Sequence, residues 1–125
     1  MDNPKTIQAG QLAEKEACEF LKKNGLQLCE CNYRTNSGEI DLIMQDGEEI
    51  VFVEVRLRNN LYHGNALESV DQRKQQKIIK TAIQYLSQMQ LLDKVNCRFD
   101  VIGISYLQAK ATIEWIKDAF PADDF

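Results

Sequence analysis

Histidine is almost absent from this chain: His63 is the only one in 125 residues. It sits in a polar stretch with no evident acid or nucleophile partner, so His-based acyl transfer has no support. Cysteine occurs four times, at Cys18, Cys29, Cys31 and Cys97. The C-x-C spacing, with no second pair, is not a structural zinc pattern, and free thiols in a reducing compartment are expected. Six glycines and two prolines are too few for a disordered or collagen-like chain. No P-loop, G-x-S-x-G or G-x-G-x-x-G occurs. No apolar run approaches the ~20 residues of a membrane span. The opening Met-Asp-Asn-Pro-Lys-Thr has no apolar signal region, so a cytoplasmic location without membrane attachment is expected.

What is present is the profile of one globular domain over residues 1–125, 44% hydrophobic and 27% charged. Such a length buries roughly two thirds of the unfolded surface, enough for a core without staples. A net charge of -4 argues against coating nucleic acid through bulk charge. The charge is uneven, however. Between positions 56 and 80 stand Arg56, Arg58, Arg73, Lys74, Lys77 and Lys80 against only Glu68 and Asp71. This stretch reads either as a footprint for a phosphate backbone or as a solvated helix face.

Apolar residues Leu12, Ala13, Ala17, Phe20 and Leu21 recur at helical steps between about 6 and 23, and Asn24-Gly25 closes that helix. Residues 27–33 read as a strand, and Asn36-Ser37-Gly38 as a turn. Glu39-Ile40-Asp41-Leu42-Ile43 and Ile50-Val51-Phe52-Val53-Glu54-Val55 predict an antiparallel pair around Asp46-Gly47. A loop over 59–68 follows. Ser69-x-x-Gln72 then reads as a capping box for a second helix with apolar face Ile78, Ile79, Ala82, Leu86 and Met89. Arg73, Lys77 and Lys80 make a basic stripe beside that face. Strands at 98–104 and 111–117, with a turn near Leu107-Gln108, complete the order αβββαββ, an α/β sandwich with a mixed sheet flanked by helices.

Strand alternation puts Glu39 and Asp41 on one face, and Phe52, Glu54 and Arg56 on one face. A two-residue loop at Asp46-Gly47 sets Asp41 opposite Phe52 and Glu39 opposite Glu54; a four-residue loop sets Asp41 opposite Glu54. Both registers put Asp41, Glu54 and Arg56 on one side, leaving Ile40, Leu42, Val51, Val53 and Val55 as core. Facing carboxylates repel and call for a cation, a proton or a metal. Mg²⁺ takes such oxygen ligands together with waters and phosphate oxygens, and activates water for phosphoryl chemistry. The plainer reading is a solvent-facing strand in which Glu54 pairs with Arg56 or Arg58.

Gly38-Glu39-Ile40-Asp41-Leu42-Ile43 followed by Val51-Phe52-Val53-Glu54-Val55-Arg56 resembles the core motif of the PD-(D/E)xK nuclease superfamily. More narrowly, the chain resembles the YraN-like family of bacterial proteins, related to archaeal Holliday junction resolvases. The likeness covers nearly the whole chain: Gly10, Glu14, Ala17 and Phe20-Leu21 in the first helix, Asn32-Tyr33-Arg34, His63-Gly64, Lys74, and Arg98-Phe99-Asp100-Val101. It implies a restriction-endonuclease-like three-layer sandwich. It also implies Asp41 and Glu54 as ligands of Mg²⁺ or Mn²⁺, the Val55 carbonyl as a third, and Glu14 as an extra ligand or water holder. Glu39 and His63 are further candidates, although a surface histidine is the plainer account of His63. Resolvase-type relatives act as symmetric dimers because a four-way junction needs two cuts; the edge strand at 111–117 is the candidate homodimer surface.

One position departs from the superfamily: where its lysine stands, this chain has Arg56. Arginine holds phosphate but cannot act as a base. Losing base assistance typically costs 10²- to 10⁴-fold; Lys74 or a metal-bound hydroxide are the candidate substitutes. Three readings therefore stand. One is a metal-dependent endonuclease on DNA, branched or single-stranded forms included, with Asp41, Glu54 and Arg56 catalytic and any helicase or recombination partner unspecified. Another is a catalytically weak or inactive nucleic-acid-binding protein holding phosphates through Arg56, Arg58, Arg73, Lys74, Lys77 and Lys80. The last is an interaction protein with a merely polar sheet face.

Overall fold

The protein is described by a computed structural model covering residues 4–58 and 64–122; His63 lies outside the described residues. Helix α1 (Pro4–Lys23) starts on a proline, whose missing N–H is no loss in a first turn. It ends where expected. Gly25 takes φ +93, its N–H donates to the Lys22 carbonyl, and the Leu26 N–H donates to the Leu21 carbonyl, both at 3.0 Å. That pair of bonds needs a left-handed residue between them, which glycine supplies without strain.

Five strands follow: β1 (Gln27–Thr35), β2 (Gly38–Asp46), β3 (Glu49–Arg58), β4 (Cys97–Leu107) and β5 (Lys110–Ile116). They form one sheet in the order β1-β2-β3-β4-β5. Neighbours are antiparallel except β3 and β4, which run parallel and are joined through a 3₁₀ turn at Ala66–Ser69 and helix α2 (Gln72–Gln88). A parallel pair needs such a crossover, and its helix must cover a sheet face. The result is the expected order αβββαββ as a three-layer α/β sandwich.

Each helix buries one sheet face. Ala13, Ala17 and Leu21 of α1 pack with Leu42, Met44, Val51, Val53, Ile102 and Ile104. On the other side Ile78, Ile79, Ala82, Tyr85 and Leu86 of α2 pack with Ile43, Ile50, Phe52, Phe99 and Val101. Fully buried side chains of this size contribute about 1.5–3 kcal/mol each. Phe99 lies between Phe52 and Phe120, with centroids 5.4 and 5.1 Å away, and Tyr85 caps Phe52 edge-on at 6.0 Å.

Several sequence expectations are corrected. The β2–β3 register pairs Leu42 with Val53 and Asp46 with Glu49. This is the register expected for a four-residue loop, yet the loop is two residues, Gly47-Glu48, because the tight turn sits one position later. Gly47 supplies the positive φ, +63, that such a turn needs. Ile40 does not join Leu42 in the core beneath α1; it packs with the α2 cluster, so the strand's alternation breaks at Asp41. Leu12 is half exposed, and Met89 caps α2 in solvent while Tyr85 takes the buried position. Ser69 does not cap α2: Asp71 does, accepting the Lys74 N–H at 2.8 Å.

The end of the sheet away from Asp41 is tied by Arg98, which is only 12% exposed. Its guanidinium meets Glu49 at 2.7 Å, Asp46 at 3.0 Å and Asp100 at 3.0 Å. Asp100, fully buried, also accepts Trp115 Nε1–H at 3.0 Å and the Asp118 N–H at 2.9 Å. A buried carboxylate is tolerable only when satisfied in this way. No helix among the described residues is long and apolar enough to cross a membrane.

Candidate functional site

The regular β2–β3 ladder stops at Leu42–Val53. One step further its register sets Asp41 opposite Glu54. There the Asp41 side chain takes over the ladder's role: Oδ2 accepts the Val55 N–H at 2.8 Å. The substitution holds the carboxylate in the gap between the strands. Glu54 follows Phe52 on the α2 face and is 5% exposed.

Three groups meet Glu54. The Asp41 carboxyl is hydrogen-bonded to it. From α2, Lys74 Nζ stands 3.5 Å from Glu54 Oε2, and from two residues along β3, Arg56 Nη1 stands 3.6 Å from the same oxygen. Burial, and then the charge and hydrogen bond of Asp41, push the Glu54 carboxyl up to about 8 despite the two cations. Glu54 therefore keeps its proton well above the usual carboxylate range.

Arg56 is itself fixed. Its Nε–H donates to Ser69 Oγ at 3.1 Å, and the Ser69 hydroxyl donates to the Ala66 carbonyl at 2.6 Å. The Ala66 N–H in turn donates to Glu114 Oε1 at 2.8 Å. Arg56 lies beside Gly103 of β4, where an added Cβ would come 2.7 Å from the Ala66 Cβ. Glycine at 103 therefore lets the 3₁₀ turn settle onto the sheet.

Glu14 reaches the cluster from α1, on the opposite side of the sheet from Lys74. Partial burial, followed by the charges of Asp41 and Glu39, raises its carboxyl to about 7. Asn32 of β1 points its side-chain amide at both glutamates; assigned from its hydrogen-bonding surroundings, the NH₂ is the end that faces them, 3.0 Å from Glu14 Oε2 and 3.3 Å from Glu39 Oε1. Glu39 is also 3.3 Å from Arg34 Nε. Behind Glu14 a groove of about 350 Å³ opens between α1 and β1, floored by Cys18, Leu28, Cys31 and Leu42. All four cysteines are free thiols.

The structure thus brings together Glu14, Glu39, Asp41, Glu54, Arg56 and Lys74. It does not bring Arg58 to Glu54: Arg58 Nη2–H donates to the Gly64 carbonyl at 3.4 Å. Arg73, Lys77 and Lys80 are exposed along α2, outside the cluster. Sequence reasoning misses two members. Ser69 reads as a helix cap, and nothing in its neighbourhood signals a partner 13 positions back. Asn32 carries one usable signal, since asparagine is the non-glycine residue most at ease with positive φ.

A three-layer α/β protein with an acid–cation centre on adjacent inner strands is the class these features define. The chain belongs to the uncharacterised protein family UPF0102, whose model matches residues 13–104, a span that includes every member of the cluster except Glu114, the outermost support of Arg56. It is similar to a UPF0102 protein of Legionella pneumophila, 46% identical over 94% of this chain and 98% of that protein. A UPF0102 protein of Coxiella burnetii is 44% identical over 94% of this chain and 96% of its own length. One of Stutzerimonas stutzeri is 46% identical over 90% and 93%.

Proposed function

We propose that this protein is a Mg²⁺- or Mn²⁺-dependent endonuclease that hydrolyses DNA phosphodiester bonds. The observation that carries the reading is the Asp41–Glu54 pair, two carboxyls set opposite each other on adjacent strands and acting directly on one another, beside Lys74 and Arg56. The resemblance to YraN-like proteins and the PD-(D/E)xK superfamily falls on the same residues. A protein acting on bacterial DNA in this way works in the cytoplasm.

The donor chemistry fits a hard cation. Asp41 and Glu54 offer carboxylate oxygens that a divalent ion favours, and a cation would replace the proton that Glu54 otherwise retains. Among the described residues no three of Asp, Glu, His and Cys converge into a metal-holding set. The protein would supply Asp41 and Glu54 as ligands, with Glu14 beside Asp41 as the holder of a water, and would leave the other positions to water and phosphate, the mode Mg²⁺ prefers. When bound, the ion supplies a polarised water and neutralises charge on the phosphoryl group.

The chain's own residues divide the remaining work. Arg56, held by Ser69, cannot take a proton and binds a phosphate oxygen. Lys74, 40% exposed at the mouth of the cluster, orients the attacking water and stands in for the superfamily's missing lysine. Asp41, fixed through one oxygen by the Val55 N–H, would have its second oxygen for the cation. Arg73, Lys77 and Lys80 hold the backbone farther along the strand.

One observation favours a second reading, a nucleic-acid-binding protein without hydrolysis. Glu54 is ion-paired to both cations of the site, and arginine occupies the lysine position. A single experiment separates the two: cleavage of labelled single-stranded, duplex and four-way-junction DNA with Mg²⁺ or Mn²⁺, by wild type, Asp41→Asn and Glu54→Gln. Metal-dependent products that vanish in both folded variants support the nuclease. Products that persist in both overturn it, and no products with a salt-sensitive mobility shift support the binding protein.

A further inference from the structure

Asn32 sits at an irregular point of an edge strand. Its φ is +53, one of few positive values outside glycine. The β1–β2 register pairs Cys31 with Leu42 and Tyr33 with Ile40, so Asn32 falls opposite Asp41, where no regular pair forms. This is also where β2 changes the side on which its residues pack. The irregularity carries a side chain to where two glutamates converge. Glu14 arrives from α1 and Glu39 from β2, and the Asn32 amide stands 3.0 and 3.3 Å from their oxygens. When ionised, each carboxylate accepts only, and an amide nitrogen has two hydrogens to give.

We infer that Asn32 is a positioning residue: its NH₂ clamps Glu14 to Glu39 and so holds Glu14 beside Asp41. Two acids from different layers repel each other, and Arg34 is ion-paired to Glu39 while it favours the Glu14 carboxylate only through its charge, less than burial, Asp41 and Glu39 oppose it. Without the amide, Glu14 turns toward the solvent-open groove behind it. The left-handed backbone is what aims the amide, and only Gly, Asn and Asp adopt it readily. Two substitutions therefore remove the donor and leave the backbone intact. Asn32→Gly keeps the conformation with no side chain, and Asn32→Asp keeps the shape with two acceptors.

The consequence for a cation rests on the reading of Asp41 and Glu54 given above; the clamp does not. The first arm uses metal-free protein and follows the Asn32 side-chain NH₂ signals by ¹⁵N NMR. Separate shifts for the two hydrogens and slow exchange are expected. Glu14→Ala moves the resonance of one hydrogen toward that of a solvated amide, and Glu39→Ala does the same to the other. Signals indifferent to both substitutions overturn the clamp whatever the metal does. The second arm measures Mn²⁺ affinity by electron paramagnetic resonance, on variants shown to be folded by circular dichroism. Asn32→Gly, Asn32→Asp and Glu14→Gln each weaken binding by about 10- to 100-fold, the range for residues that orient metal ligands. Combining Asn32→Asp with Glu14→Gln adds nothing further, because both act through one carboxylate. Wild-type affinity in the two Asn32 variants overturns the positioning role. A wild type that binds no Mn²⁺ but shows the amide coupling overturns the metal reading and leaves the clamp standing.

Discussion

Glu54 is the residue on which the site's chemistry turns, because its protonated form is the one that the folded chain prefers. Its carboxyl is raised from 4.5 to about 8, first by burial and then by Asp41. The unfolded chain holds that proton less tightly, so the favourable contribution is complete below pH ~4.5 and is lost as pH rises through about 8. Glu14, raised to about 7, adds to the loss over an overlapping range. Metal-free protein is therefore less stable at pH 8.5 than at pH 5 by this contribution, and Glu54→Gln, which keeps the shape and cannot ionise, flattens the decline. Urea unfolding over a pH series checks this; an equally steep curve in Glu54→Gln would count against a proton retained on Glu54. Asp41 and Glu54 are legible in the sequence because strand alternation and a hairpin turn place residues on a face without knowledge of the rest of the fold. Lys74 is legible as a stand-in for the missing lysine only through the family likeness; local pattern makes it one basic residue among several, since its approach to Glu54 depends on how the crossover helix settles on the sheet.

At the scale of elements, the 3₁₀ turn at Ala66–Ser69 links the sheet to Arg56, and it rests on a bare glycine. A methyl group at 103 would meet the Ala66 Cβ at 2.7 Å, too close for either to stay. The short turn gives way before a five-stranded sheet does, so Gly103→Ala lifts Ser69 away from Arg56. Overpacking of this kind costs about 1–3 kcal/mol. The expected outcome is a lower melting temperature together with weaker DNA binding, while Ser69→Ala reproduces the weaker binding with a smaller stability loss. Unchanged binding in both would show that Arg56 needs no support from the turn. The strands, helices and their order are readable from periodicity and from Gly25, Gly38 and Gly47. The turn and the true α2 cap are not, because Ser69 and Asp71 both satisfy the local chemistry of a helix start and only the chain's path across β4 decides between them. Alternation misplaces Ile40 for a related reason: the strict pattern fails where Asn32 adopts a left-handed conformation opposite Asp41.

Across the whole molecule, positive charge is divided between structure and surface. The chain is acidic overall, at -4, so binding to a polyanion has to come from cations that the fold leaves uncommitted. Arg98 is committed: Asp46, Glu49 and Asp100 surround its guanidinium and tie the end of the β2–β3 hairpin to β4. Removing one partner of a buried ion pair costs about 3–5 kcal/mol, and in Arg98→Met most of that comes from the stranded Asp100. Arg73, Lys77 and Lys80 are exposed on one helix, and under the proposed function they are the cations that would release counterions from DNA. Each phosphate contact contributes about 0.9 to the slope of log affinity against log salt. Arg73→Ala, Lys77→Ala and Lys80→Ala should each reduce that slope by about one, whereas Arg98→Met, measured below its lowered melting temperature, leaves the slope unchanged. Fluorescence anisotropy on a labelled oligonucleotide over a salt series makes the comparison. Equal slopes for all four variants and wild type would remove α2 from the DNA-binding surface, even if the cluster at Asp41 and Glu54 still cleaved.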